Sequence, residues 1–329
     1  MRRRDFILLG SAVAWPLVAQ AQVSPRRRPL ITWLSGGTTE VAGPFAASFL
    51  DGMRELGYAE GRDFDMAYRY AEGVLDRLPA FAEEIVRLKP DVILAAAVSA
   101  AVPARMATSA IPIVCPALAD AVHLGLIASE ARPGGNVTGI EPYVAGLPAK
   151  QMELVHEIAP GAHQVGLLTN LRDPKAPPQA QELEAAAKVL EVTINSADVN
   201  SPQEIDGAME ALASQRVDVV IVLQTTLLLS LGRRIAELAL AKRLPTIYGY
   251  REHVVAGGLI SYGVDLSWCY RRSAYFVQKI LQGTPPGDLP VEFPNKMVLS
   301  VNLKTAKALA LKISEAFLLR ADEVIERGS

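Results

Sequence analysis

Apolar runs of strand length alternate with apolar positions at helical spacing along almost the whole chain. Leu30-Ile31-Thr32-Trp33-Leu34 is a strand-like run that ends in Ser35-Gly36-Gly37. Phe45, Phe49, Met53 and Leu56 then recur at the spacing of one helix face, and Gly57 stops the pattern. Phe64, Met66, Tyr68 and Tyr70 alternate, which predicts a strand. Leu78, Phe81, Ile85 and Leu88 mark a second helix, closed by Lys89-Pro90. A buried strand starts at Asp91, a short helix covers 98–108, and Ile111 to Val114 is the next strand. Apolar strands separated by amphipathic helices predict parallel sheets covered on both faces.

The second half repeats this order: strand 164–169, helix 178–190, strand 191–198, helix 202–214, strand 217–223, helix 229–242, then strands 245–249 and 258–262. Four landmarks recur. Leu30–Leu34 is echoed by Val165-Gly166-Leu167-Leu168, which ends in Thr169-Asn170. Asp91-Val92-Ile93-Leu94 is echoed by Asp218-Val219-Val220-Ile221-Val222. Ile111-Pro112-Ile113-Val114 is echoed by Leu244-Pro245-Thr246-Ile247-Tyr248, and Gly134-Gly135-Asn136-Val137-Thr138-Gly139 by Gly257-Gly258-Leu259-Ile260-Ser261-Tyr262-Gly263. The offsets of about 120 to about 135 residues are too long for a solenoid and suit two similar α/β lobes enclosing a cleft. A long amphipathic helix, Leu266 to Gln282, and an extended piece, Phe293 to Val301, follow. Paired lobes exchange chain at a hinge, so the expectation is residues 29–140 plus 265–288 in lobe 1 and 141–264 plus 289–329 in lobe 2.

Residues 1–21 read as an export signal. Arg2-Arg3-Arg4 gives a basic start, Ile7 to Val18 an apolar stretch too short to span a bilayer, and Ala19-Gln20-Ala21 a small-x-small cleavage site. Arg3-Arg4, just ahead of Phe6-Ile7-Leu8, reads as a twin-arginine address, which predicts a periplasmic protein. Residues 22–28 form a short basic tether. Loss of 1–21 removes three arginines and one aspartate and moves the formal charge from -2 to -4. A mildly acidic chain without a basic block argues against nucleic acid as partner. Cys115 and Cys269 are expected as buried free thiols, since nothing in their spacing demands a bond.

The motifs of catalysis are missing. There is no G-x-S-x-G elbow, no Walker A sequence and no G-x-G-x-x-G after the first strand, and the four histidines are scattered. Neither an enzyme nor a cofactor is expected. What remains is polar chemistry at strand ends: Ser35, Ser99, Asp120, Asn170, Gln224 and Tyr250, with Asp265 at the hinge. Short hydroxyl, amide, carboxylate and aromatic groups from both lobes orient a small polar ligand. The polar, proline-rich loop from Asn170 to Pro178 lies at the ligand-binding end of the second sheet.

The chain resembles bacterial ABC-transporter substrate-binding proteins of the group that includes tryptophan and other aromatic-amino-acid binders. The resemblance rests on Glu55-Leu56-Gly57-Tyr58-Ala59-Glu60-Gly61, Arg69-Tyr70-Ala71-Glu72-Gly73, and Ala131-Arg132-Pro133-Gly134-Gly135-Asn136-Val137-Thr138-Gly139. It continues through Tyr248-Gly249-Tyr250-Arg251-Glu252, Gly257-Gly258-Leu259-Ile260-Ser261-Tyr262-Gly263, and Asn302-Leu303-Lys304-Thr305-Ala306-Lys307-Ala308-Leu309. It implies a type I periplasmic-binding-protein architecture, two Rossmann-like lobes with parallel sheets that close on a solute and deliver it to an ABC permease. With the tyrosines it implies an amino acid or aromatic acid as ligand, and a monomer. A sensor that presents its closed form to a membrane receptor would use the same residues. Ala119-Asp120-Ala121-Val122 and Gln224-Thr225-Thr226-Leu227 depart from the commoner relatives, so a relative's specificity does not carry over residue by residue.

Overall fold

The computed structural model describes residues 27–142 and 146–326. The export signal at 1–21 and most of the tether lie outside them. In the first lobe, β1 (Leu30–Ser35), β2 (Asp65–Tyr70), β3 (Val92–Ala95), β4 (Ile113–Cys115) and β5 (Val137–Gly139) form one parallel sheet in the order β2-β1-β3-β4-β5. In the second, β6 (Gln164–Thr169), β7 (Thr193–Asp198), β8 (Val219–Val222), β9 (Thr246–Tyr248) and β10 (Ile260–Val264) repeat that order. Two late strands extend this sheet: β11 (Met297–Asn302) runs antiparallel to β10, and β12 (Glu323–Ile325) pairs parallel with β11. The second sheet is therefore mixed at one edge. The cause is connectivity, because β11 enters from the other lobe rather than through a right-handed crossover.

The helices needed below are, in chain order, α1 (Thr39–Glu55), α2 (Leu78–Arg87), α3 (Val98–Ala107), α4 (Leu147–Ile158), α5 (Ala176–Val189), α6 (Ile205–Ser214), α7 (Thr226–Ser230), α8 (Gly232–Ala241), α9 (Arg251–Val255) and α10 (Leu266–Leu281). Alternation along β1 splits the first core in two. Ile31 and Trp33 pack with Phe45 and Phe49 of α1 and with Tyr270 and Phe276 of α10. Leu34 faces the other way, toward Leu78 and Ile85 of α2 and Ala101 and Ala104 of α3. The second lobe has its own core around Val165, Leu167, Val220, Ile221 and Ile247.

The segment after Asp265 returns to the first lobe. Its contact with α1 is close because position 52 is glycine: a Cβ there would stand 2.2 Å from the carbonyl oxygen of Arg271. Tyr270 stacks on Phe45 at 4.6 Å between ring centroids and on Trp33 at 5.6 Å. The return to the second lobe comes later than residue 288. Leu289 and Val291 still lie in first-lobe cores, and Glu292 N–H donates to Gly139 O at 3.0 Å. Residues 289–292 thus belong with lobe 1, held by a short bridge to Ile140 that sequence periodicity does not reveal. Cys115 and Cys269 are buried and free.

Candidate functional site

In each sheet the chain leaves β1 or β6 on one side and β3 or β8 on the other. Such switch points leave a crevice at the carboxyl ends of the strands. The two crevices face each other and share one cavity of about 30 Å³. Ser35 and Gly37 after β1, Ala96 and Ala97 after β3, and Ala117 after β4 come from lobe 1. Lys175 after β6, Thr226 and Ser230 of α7, and Tyr250 after β9 come from lobe 2. Phe45, Leu229, Leu266 and Tyr270 complete an apolar and aromatic lining.

The lobes touch around this cavity. Ser99 Oγ and Thr226 Oγ1 are 3.1 Å apart across it, both buried. Arg172 pairs with Asp76, and Arg233 with Glu40. A Cβ at Gly36 would meet Leu75 Cδ2 at 2.8 Å and Thr226 Cγ2 of the other lobe at 3.2 Å. A second cavity of about 580 Å³ adjoins the first through Val41, Phe45, Leu229 and Ser230. Glu40, Arg233 and Glu252 lie on its wall.

Lys175 dominates the electrostatics. The residue is 6% exposed, and no carboxylate of the described residues joins it on the cavity wall. Burial alone would pull its pKa down. The Asp173 carboxylate, the Tyr250 phenol and the Cys115 thiol outweigh that, and the net shift is upward, so the ammonium stays charged. Asp173 is fully buried behind it with its nearest carboxylate oxygen at 3.9 Å, an ion pair too long for a hydrogen bond. Its oxygens instead accept the backbone N–H groups of Lys175 at 3.1 Å and Thr226 at 2.8 Å. Asp173 therefore ties the loop after β6 to the start of α7. Burial pushes the Tyr250 phenol up, partly offset by Lys175.

The seven residues singled out in the sequence fall into three groups. Ser35 and Tyr250 line the cavity, and Ser99 closes its rim. Asn170 and Gln224 lie one layer behind the wall. Asn170 Nδ2 donates to Val199 O at 2.6 Å, and Gln224 Nε2 to Gly249 O at 2.9 Å. Gln224 is further locked by Gln179, whose Oε1 accepts its N–H at 2.9 Å. Both residues hold loops in shape. Asp120 and Asp265 are away from the cavity. Asp120 sits in a left-handed turn, its N–H donating to Glu141 Oε1 at 2.8 Å. Asp265 is exposed, caps α10 by accepting from Trp268 N–H at 3.1 Å, and borders an outer hollow with Pro294 and Lys296.

Sequence reasoning missed Lys175, Ser230, Phe45 and Tyr270, and placed Thr226 only within the polar run that follows β8. Lys175 had a signal: it lies in the polar loop at the end of β6. Phe45 and Tyr270 look like core positions and are core positions that also border the cavity.

The comparisons agree with this geometry. A family model described as ABC transporter substrate binding protein matches residues 45–325. A "tyrosine-binding protein" of Clostridioides difficile (strain R20291) is 26% identical over 264 residues, 80% of this chain and 76% of that protein. A crystal structure of a conserved domain protein from Vibrio cholerae is 26% identical, with a TM-score of 0.85 over 91% of this chain and 100% of that one. A structure from Streptococcus pneumoniae in complex with L-Trp gives 0.84 at 23% identity over the same shares, a likeness of fold. With most of its length matched by that model, the chain belongs to the ABC transporter substrate-binding protein family, a family of solute binders rather than enzymes.

Proposed function

We propose that this chain is the exported solute-binding component of an ABC importer and captures a small organic solute between its lobes by hinge closure. The observation that carries the reading is the shared cavity, to which both lobes contribute from the carboxyl ends of their sheets. A ligand held from both sides binds the closed form better than the open form, and that difference drives closure. The chain passes between the lobes from β5 to α4, from β10 to α10 and ahead of β11, and these three connections serve as the hinge. The reading includes export through the twin-arginine route to the periplasm, a monomeric state and delivery to a membrane permease; the leader-like residues 1–21 support the export and the family supports the permease. The Tyr and Trp in the descriptions of the two relatives support an amino acid or aromatic acid as solute.

Native mass spectrometry of protein purified without denaturation tests this. A stoichiometric small molecule that also raises the melting temperature supports capture. Small-angle scattering should show a smaller radius of gyration with that molecule present. A radius unchanged at saturation would refute hinge closure.

A further inference from the structure

We propose that the solute is an organic monocarboxylate with an aromatic-sized apolar body and no ammonium on the carbon beside its carboxylate. The inference rests on the solute-binding reading of the same cavity.

Among the described residues, Lys175 is the one charged side chain on the cavity wall. An ammonium has three donors. The Tyr250 phenol lies near enough to favour the charged form, and the Asp173 carboxylate stands at 3.9 Å, beyond hydrogen bonding. A carboxylate in the cavity supplies the missing acceptor and forms the stronger, charge-assisted kind of bond. α3 starts at the wall, but its first-turn N–H groups are largely used, Val98 N–H donating to Ala117 O at 3.0 Å and Ala100 N–H to Ala97 O at 2.9 Å, so the preference rests on Lys175. Phe45, Tyr250 and Tyr270, with Leu229 and Leu266, offer apolar faces to a flat body that enters while the lobes are apart, since the cavity of about 30 Å³ between them in this structure has room for little more than a water or two.

An α-ammonium would sit one carbon from that carboxylate, hence in the same cavity. Its acceptors there are neutral hydroxyls, which offer lone pairs but no negative charge to balance it. Ser35 Oγ accepts from Gly37 N–H, Ser230 Oγ donates to Thr226 O, and Thr226 Oγ1 pairs with Ser99. A buried cation with no carboxylate against it is costly. Glu252 has an oxygen without a partner among the described residues, but it lines the adjoining cavity, past the shared wall of Phe45 and Leu229.

The test is calorimetric titration of the full chain with matched pairs that differ by the amino group: phenylpropanoate and L-phenylalanine, hydroxyphenylpropanoate and L-tyrosine, indolepropanoate and L-tryptophan. At least one acid should bind about tenfold or more tightly than its amino acid, a charge-assisted contact against an unmatched buried charge. Lys175→Gln should lose about tenfold or more for that acid, and Lys175→Arg should retain most of it. Circular dichroism checks that each variant folds, and the wild-type pairs decide the matter if Lys175→Gln does not. Amino acids that bind equally or more tightly in every pair would overturn the monocarboxylate and leave a solute binder. Binding of a neutral solute with no response to either series would do the same. Silence across a broad metabolite panel would overturn the solute-binding reading itself.

Discussion

The hydroxyl pair that spans the cleft gives the sharpest test of how closure is linked to binding. Ser99 is 8% exposed and Thr226 9%, and their side-chain oxygens meet at 3.1 Å across the lobes. Opening returns both to water. A lost partner therefore costs free energy in the closed form alone. Ser99→Ala or Thr226→Val leaves one buried hydroxyl without its mate, at about 1–3 kcal/mol. Under the proposed closure the solute selects the closed form, and this translates into binding weaker by about 5- to 150-fold. The double variant replaces both groups with apolar ones of similar shape, and its affinity should recover most of the loss. Calorimetry with the tightest ligand gives the affinities, and thermal melting without ligand gives the stability, which should barely move. Single variants that bind like wild type, or a double variant as weak as the two losses combined, would refute the reasoning.

Gly52→Ala should destabilise the protein by about 1–3 kcal/mol or more, because its Cβ would lie 2.2 Å from a backbone oxygen of α10; denaturant melts read the loss. Asp265→Ala removes a helix cap at about 1 kcal/mol of stability and should leave affinity unchanged, since its carboxylate faces outward. Glu252 is pushed up to about 7 by burial, with the repulsion of Asp265 and Glu323 added and Arg251 opposing. The folded protein then keeps a proton that the unfolded chain releases above about 4.5. Stability from this group is full below the unfolded value and declines as pH rises to about 7, by on the order of 3 kcal/mol. Glu252→Gln lacks this decline, so its stability relative to wild type should rise between pH 4.5 and 8. A difference flat across that range would place the carboxyl in a wetter setting. Comparison with the variant cancels His253, which burial lowers to about 4 and which works in the opposite direction.

The two-lobed plan was legible because each lobe writes the same local signals. Apolar strands such as Val219–Val222 are buried end to end, and helices such as α2 show a one-sided stripe. Longer-range features were not. Helix 229–242 is two helices, α7 and α8, whose junction at Leu231 no proline announces. The site was half legible. Ser35 and Tyr250 follow strands and point into the crevice, whereas Asn170 and Gln224 follow strands too and spend their amides on neighbouring backbone. A strand-end position fixes where a side chain starts, and the packing of the next loop fixes where it points. Lys175 illustrates the reverse. It looks like an exposed loop lysine until α7 and the first lobe cover it.

On the proposed hinge closure, that covering would make a ligand necessary for closure to be favourable. Among the described residues, the side-chain polar links between the lobes away from the connecting segments are, apart from Ser99 and Thr226, the exposed ion pairs of Arg172 with Asp76 and Arg233 with Glu40, each worth about 0–1 kcal/mol. Against them stands the desolvation of an ammonium. Lys175 belongs to lobe 2 yet is close enough to lobe 1 to feel the thiol of Cys115 at the end of β4. Removing one such ion from water costs several kcal/mol unless it is paired and hydrogen-bonded. The partners that hold Lys175 charged, Asp173 and Tyr250, belong to lobe 2 and are present before closure, so closing the empty cleft adds desolvation and only weak links, and the open form should prevail without solute. An anion at Lys175 removes that penalty at the moment the lobes meet. Lys175→Met should accordingly shift the unliganded protein toward the closed form, giving a smaller radius of gyration by scattering and a weaker response to the ligand. An unliganded radius equal to that of wild type would show that the lysine is not what holds the cleft open.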